Sequence, residues 1–155
     1  METLKKKETY LKFDCNPLDR IHITQGFGED PSYYARYGLL GHNGLDLRTK
    51  FEDTPLGRRE VRAVWPGVVL QALRGHRVMG NYVRLSHEGG RETVYLHLSK
   101  LLVKKGEKVE AGKILGFSGN TGESQGAHLH FGYRPPAYDK EDGYLGYIDP
   151  KFLLV

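Results

Sequence analysis

The sequence predicts a single all-β domain, a sandwich or barrel, on three observations. Apolar and polar residues alternate at period 2 through a series of short segments. Clusters of turn-forming residues separate these segments at close spacing. Glycine supplies 20 of the 155 residues, well above the usual ~7%, which favours turns and bent strands over long helices.

Taken in order, residues 1–19 read as an N-terminal tail and lead-in, with the Lys5–Lys7 run solvated, and residues 20–155 read as the domain. "RIHITQ" (20–25) is the first strand. "EDPSYYARYGLLG" (29–41) is a long irregular loop rich in tyrosine, and long loops in compact domains are often functional. "LDLR" (45–48) reads as a strand. "EVRAV" (60–64), "GVVLQAL" (67–73), "NYVRLSH" (81–87), "ETVYLHL" (92–98), "KILGFS" (113–118) and "AHLHFGYR" (127–134) continue the pattern. Turns fall at "WPG" (65–67), "EGG" (88–90), "KKGEK" (104–108) and "GNTGESQG" (119–126). "LSKLLVKK" (98–105) has room for one helical turn, with Ser99 as its N-cap. No linker, low-complexity stretch or repeat divides the chain.

Composition narrows the function classes. A charged fraction of 27% and a hydrophobic fraction of 39% describe an ordinary globular chain, long enough for a real core. The net charge of +4 suits an anionic partner such as a cell-wall polymer, a membrane surface or a nucleic acid. Cys15 is the only cysteine, so an internal disulfide and a cysteine metal cluster are both excluded; Cys15 reads as a small buried apolar residue. The basic N-terminus lacks the apolar segment of a secretory signal, and no run approaches the roughly 18 apolar residues of a membrane helix. The expectation is a protein that acts in the cytoplasm, leaves by another route, or has lost a leader. Its location is left open.

Histidines are the polar outliers. In "AHLHFGYR", Leu129 and Phe131 point one way, into the core, and His128 and His130 point together the other way, roughly 6.6 Å apart. The same alternation in "TVYLHL" places Val94, Leu96 and Leu98 inward and Tyr95 with His97 outward. In "GHNGLDL", His42 lies in a glycine-framed loop and Asp46 on the following strand. His42, Asp46 and one of the His128/His130 pair form an N/N/O set suited to a catalytic zinc, which keeps a fourth position open. His22, His76 and His87 occupy strand-edge or turn positions and read as structural or solvated.

"GHNGLDL", then "VYLHLSKLLVKKGEKVEAGKILGFSGNTG", then "GAHLHFGYR" together resemble the lysostaphin-type zinc endopeptidases, which degrade bacterial cell walls. The pattern H-x3-D, a later H in a Y-x-H-L strand, and H-x-H occurs in order, and the resemblance runs from about residue 20 to "YIDPKFLL" at the end. It implies an antiparallel two-sheet β domain with a loop-lined groove. It also implies one Zn2+ held by His42, Asp46 and His130, with His97 and His128 as the catalytic histidines, whose separate roles the sequence does not assign. The implied partner is peptidoglycan and the implied state is a monomer, with no nucleic acid and no membrane span. Tyr33, Tyr34 and Tyr37, just before His42, are expected along the groove, together with Tyr95 and Asn120. One departure stands out: many members carry an Arg soon after "GFG", whereas this chain has "GFGEDP" (26–31). The absent export signal leans towards a phage lysin.

Three other classes fit less well. Non-haem Fe(II) oxygenases also use two histidines and a carboxylate, but usually space the first pair H-x-D/E, and two histidines here would be idle. A non-enzymatic cell-wall binding or regulatory module of the same fold is opposed by the complete five-residue set. A lipoyl-type carrier resembles "VKKGEKVEAGKILG" but needs a modified lysine in "MKM" or "DKA", which this chain lacks.

Overall fold

Strand β6 (Glu92–Leu101) organises the fold, because three other strands hydrogen-bond to it. The computed structural model describes residues 11–155, in which nine strands run antiparallel. The other eight are β1 (Ile23–Gln25), β2 (Leu45–Arg48), β3 (Glu60–Arg62), β4 (Gly67–His76), β5 (Gly80–Ser86), β7 (Lys108–Val109), β8 (Ile114–Ser118) and β9 (His128–Arg134). Their order is β1-β2-β9-β6-β5-β4-β7, while β3 pairs with β8 and β8 joins the C-terminal part of β6. The first part of β6 therefore belongs to the large sheet, and its last residues belong to the β3–β8 segment. Buried side chains from both segments, among them Leu47, Val61, Val83, Leu98, Leu115, Leu129 and Phe131, meet in one core. The all-β expectation holds.

Three local expectations are corrected. The stretch 98–105 contains no helical turn: β6 continues to Leu101, where Lys100 pairs with Phe117 and Leu101 with Gly116. Pairing with β8 satisfies that backbone and buries Leu98 and Leu101, which outweighs a weak local helical preference. The tyrosine-rich loop is instead partly helical. Pro31 starts α1 (Pro31–Tyr34) at a position where its missing N–H costs nothing, and a 3₁₀ turn follows at Ala35–Tyr37. The lead-in is part of the domain from residue 11 onward: Phe13 and Leu18 are buried, and Phe13 N–H donates to the Leu153 carbonyl at 2.9 Å. Phe13 packs edge-on against Trp65 and Phe131, so apolar burial overrides its reading as a tail. The Lys5–Lys7 run lies outside the described residues.

Of the two expectations for His87, structural or solvated, the structural one holds: it is buried and has partners. Its Nδ1 lies 2.8 Å from the Pro66 carbonyl and its Nε2 2.7 Å from Thr93 Oγ1. Burial holds its imidazole below the ordinary range, against the opposing pull of the Pro66 carbonyl. The native state thus keeps His87 neutral where the unfolded chain, titrating at about 6.5, takes up a proton. Stability from this group is present above that pH and lost as pH falls towards the folded value. Urea melts between pH 7.5 and 5 should show a loss of stability in the wild type that is smaller in His87→Gln. Equal losses in both would assign the effect to other groups.

Candidate metal centre and groove

A β-bulge places the first unexpected side chain. On β6, Tyr95 pairs with Val83 and Leu98 with Asn81, so β6 carries one extra residue there. His97 takes up the slack at φ +64, a conformation uncommon for residues other than glycine and typical of functional positions. The bulge reverses the expected alternation. Tyr95 is fully buried in the core, with its hydroxyl bonded to Thr93 and to the Val64 N–H, and it does not reach the groove. Val94 and Leu96 instead line the groove, and the twist at His97 brings its ring to the same face while returning Leu98 to the core. Asn120 is exposed and lies outside the groove lining.

Strand β9 behaves as the alternation predicts: Leu129 and Phe131 are buried in the core, and His128 and His130 both face the groove. Asp46 pairs with His130 across the β2–β9 ladder, which sets the carboxylate beside the imidazole. His42 arrives from the preceding loop, fully buried. Gly44 makes this approach feasible, since a Cβ there would lie 2.6 Å from the Phe131 carbonyl and 2.7 Å from His130 Nε2.

Three potential ligand atoms converge. His42 Nε2 lies 3.1 Å from Asp46 Oδ1 and 3.1 Å from His130 Nδ1, and His130 Nδ1 lies 3.3 Å from Asp46 Oδ1. His42 Nδ1 sits 3.0 Å from the Gly26 carbonyl, which only accepts, so Nδ1 carries the proton and Nε2 presents a lone pair. Asp46 Oδ1 is buried without a hydrogen-bond donor. Burial alone would raise the Asp46 carboxyl, and hydrogen bonds from the His130 and His42 rings, when those rings carry the shared protons, outweigh it and hold the group well below the usual carboxylate range. With His42 Nε2 unprotonated, the buried Asp46 Oδ1 faces a lone pair, which is unfavourable unless a proton or a cation occupies the centre. The donor set fits a small divalent metal ion.

The remaining two histidines flank this centre. His97 Nδ1 donates to the Thr121 carbonyl at 2.8 Å, and His128 Nδ1 to the Gly126 carbonyl at 2.7 Å, which leaves both Nε2 lone pairs free. Their ring centroids are 4.9 Å apart, and His128 Nε2 lies 3.5 Å from Asp46 Oδ1. Burial, with the nearby His130 and His128, pulls His97 down to about 4, so it is neutral and able to accept a proton at pH 7. The carbonyls of Gly26, Thr121 and Gly126 escaped the sequence reading because a main-chain acceptor has no residue-type signature.

The groove above the centre encloses about 710 Å³. Tyr33, Tyr34 and Tyr37 line one wall. Tyr34 packs its ring 5.1 Å from that of His42 and donates to Gln25, and Tyr37 donates to Glu123 on the opposite loop. That loop depends on Gly122, at φ +78, where a Cβ would lie 2.4 Å from both the Gly80 nitrogen and the Val78 carbonyl. Gly122→Ala should therefore cost at least ~1–3 kcal/mol of backbone strain. Through Thr121 it should also displace His97. The expected result is a lower thermal midpoint and lower turnover at unchanged metal content. An unchanged midpoint would show that the loop does not need this glycine.

Comparison with known proteins agrees with this geometry. The model of peptidase family M23 matches residues 40–142. The peptidoglycan DD-endopeptidase ShyA of Vibrio cholerae is 47% identical over 120 residues, covering 77% of this chain and 26% of ShyA. A Haemophilus influenzae protein described as an uncharacterized metalloprotease is 52% identical over 116 residues, covering 74% of this chain and 23% of that protein. This chain thus spans about a quarter of the length of these curated relatives. Among solved structures, lysostaphin from Staphylococcus simulans superposes with a TM-score of 0.70 at 28% identity, covering 92% of this chain and 52% of that one. A zinc-containing peptidase from Vibrio cholerae superposes at 0.65 with 34% identity, covering 79% and 36%. The matched span contains His42, Asp46, His97, His128 and His130, and the chain belongs to peptidase family M23.

Proposed function

We propose that this domain is a zinc-dependent endopeptidase that hydrolyses peptide stems or cross-bridges of bacterial peptidoglycan. The observation that carries the reading is the buried Asp46 Oδ1, without a hydrogen-bond donor, set against two imidazole nitrogens, with two further imidazoles alongside. The separations of 3.1, 3.1 and 3.3 Å lie close to the ligand–ligand edge of a zinc tetrahedron, about 3.3–3.4 Å for ~2.0–2.1 Å bonds. His42 and His130 supply neutral nitrogens and Asp46 the anionic oxygen, for one ion. Zinc held there supplies Lewis-acid polarisation of the scissile carbonyl and acidifies a water molecule.

The chain's own residues handle the protons. His97 and His128 are each fixed by a main-chain carbonyl on Nδ1, so each presents Nε2 to the groove without needing to reorient. One accepts the proton of the attacking water at Nε2, and the other, once its Nε2 carries a proton, stabilises the developing oxyanion or protonates the leaving amine. The Vibrio cholerae relatives ShyA and ShyB are peptidoglycan DD-endopeptidases, which supports a cross-link between D-residues as the bond cut.

The test is mass spectrometry of purified sacculi digested by the zinc-loaded protein. Cross-linked muropeptide dimers should fall and uncross-linked stems should rise, with chelation abolishing the change. Release of glycan fragments alone would sink the reading.

A further inference from the structure

One end of the groove is unexplained by hydrolysis. Beyond His130, the groove face of β9 continues with Gly132 and Arg134, while β6 contributes Leu96 and Val94 and β5 contributes Arg84. Val94, Leu96 and Tyr147 make an apolar floor. Gly132 keeps that floor flat, since a Cβ there would lie 2.9 Å from Val94 Cγ1 and 3.0 Å from the Tyr147 ring. Two guanidinium groups close the floor. Arg134 Nε donates to the Leu145 carbonyl at 2.9 Å, and its guanidinium lies 4.3 Å from the Tyr147 ring centre. Its nearest carboxylate, that of Glu92, stands 3.8 Å away.

Arg84 differs. Its Nε donates to Gln71 Oε1 at 3.1 Å and its Nη1 to the Tyr147 hydroxyl at 2.6 Å. Both acceptors are neutral, and among the described residues no carboxylate pairs with it. Gln71 and Tyr147 thus hold the guanidinium in one orientation while leaving its charge uncompensated and its Nη2 donors unused. A half-buried, fixed, unpaired guanidinium at the end of an apolar floor is built for an anion, and a carboxylate matches its planar donors.

We propose that Arg84, oriented by Gln71 and Tyr147, forms a carboxylate-binding subsite that takes a free carboxylate of the peptide substrate. This rests on the peptidase reading above. Arg84 stands beside Val94, which pairs with Gly132, two residues past His130. Combining roughly 6.6 Å along the strand with two strand spacings of ~4.8 Å gives about 12 Å from His130, or three to four residues of extended peptide. The carboxylate can be a side-chain group of a diamino acid or a peptide C-terminus.

The test uses three synthetic cross-linked stem-peptide dimers: one with a free diamino-acid carboxylate, one with that group as a carboxamide, and one with a C-terminal carboxamide. Affinity is measured by calorimetry and hydrolysis by chromatography, for the wild type, Arg84→Gln and Arg84→Lys. A charge-assisted hydrogen bond predicts a preference of about 10- to 100-fold for the free carboxylate over whichever amidated dimer blocks the subsite. Arg84→Gln should erase that ratio and Arg84→Lys should keep part of it. Loss through the diamino-acid amide or through the C-terminal amide identifies which carboxylate is bound. Equal wild-type affinity for all three dimers, or a ratio unchanged in Arg84→Gln, would overturn the subsite. A carboxylate preference in binding without any hydrolysis would support the subsite and defeat the peptidase reading instead.

Discussion

Asp46→Ala, His42→Ala and His130→Ala should each lose the metal and the activity together. Each removes one of only three protein donors, and the other two then lie about 3.1–3.3 Å apart with nothing to complete the set. The readouts are elemental analysis after gel filtration and turnover on cross-linked muropeptides. A third readout is independent of catalysis. Metal that binds the native state and not the unfolded one raises stability by mass action, about 2.7 kcal/mol at a hundredfold excess over Kd. Added zinc should therefore raise the thermal midpoint of the wild type and leave that of each variant in place. Stoichiometric zinc together with full turnover in any one of them would remove that residue from the ligand set.

His128→Ala and His97→Ala should part company with those three. Neither is needed to complete the three-donor set, so both variants should keep the metal and its thermal shift. Turnover should fall by about 10²–10⁴-fold, the range for loss of a positioned acid–base group. Both should stay folded, because the neighbouring core side chains Leu129, Phe131 and Leu98 are untouched. Because the two rings are 4.9 Å apart and act on one reaction, the double variant should lose less than the product of the single losses. If His128→Ala comes out metal-free while His130→Ala keeps its metal, the two residues of "HLH" have exchanged roles.

The strand pattern was legible wherever one face is buried, since period-2 alternation reports that asymmetry directly. Strand β9 is the clearest case; spacing brought His42 and Asp46 together with one of the His128/His130 pair, and only the family resemblance chose His130 as the proposed ligand. Alternation misled at β6. It assumes equal residue counts on paired strands, and the extra residue at His97 put Tyr95 in the core and Val94 and Leu96 on the groove. Asn120 was misplaced for a related reason: the turn 119–126 delivers the Thr121 carbonyl to His97 and leaves the Asn120 side chain exposed.

What the sequence by itself determined is the chemistry: which residue types are present, in which order, and on which face of a regular strand each lies. That suffices for the all-β class and the family, because these depend on local periodicity and on residue identity in order. Only the tertiary structure decided tautomers, orientation and the far end of the groove. The Gly26, Thr121 and Gly126 carbonyls that fix three imidazoles come from separate loops, and the neutral partners that leave Arg84 uncompensated sit on β4 and near the C-terminus. Such contacts join residues distant in sequence through main-chain atoms or long side chains, and no local pattern encodes them.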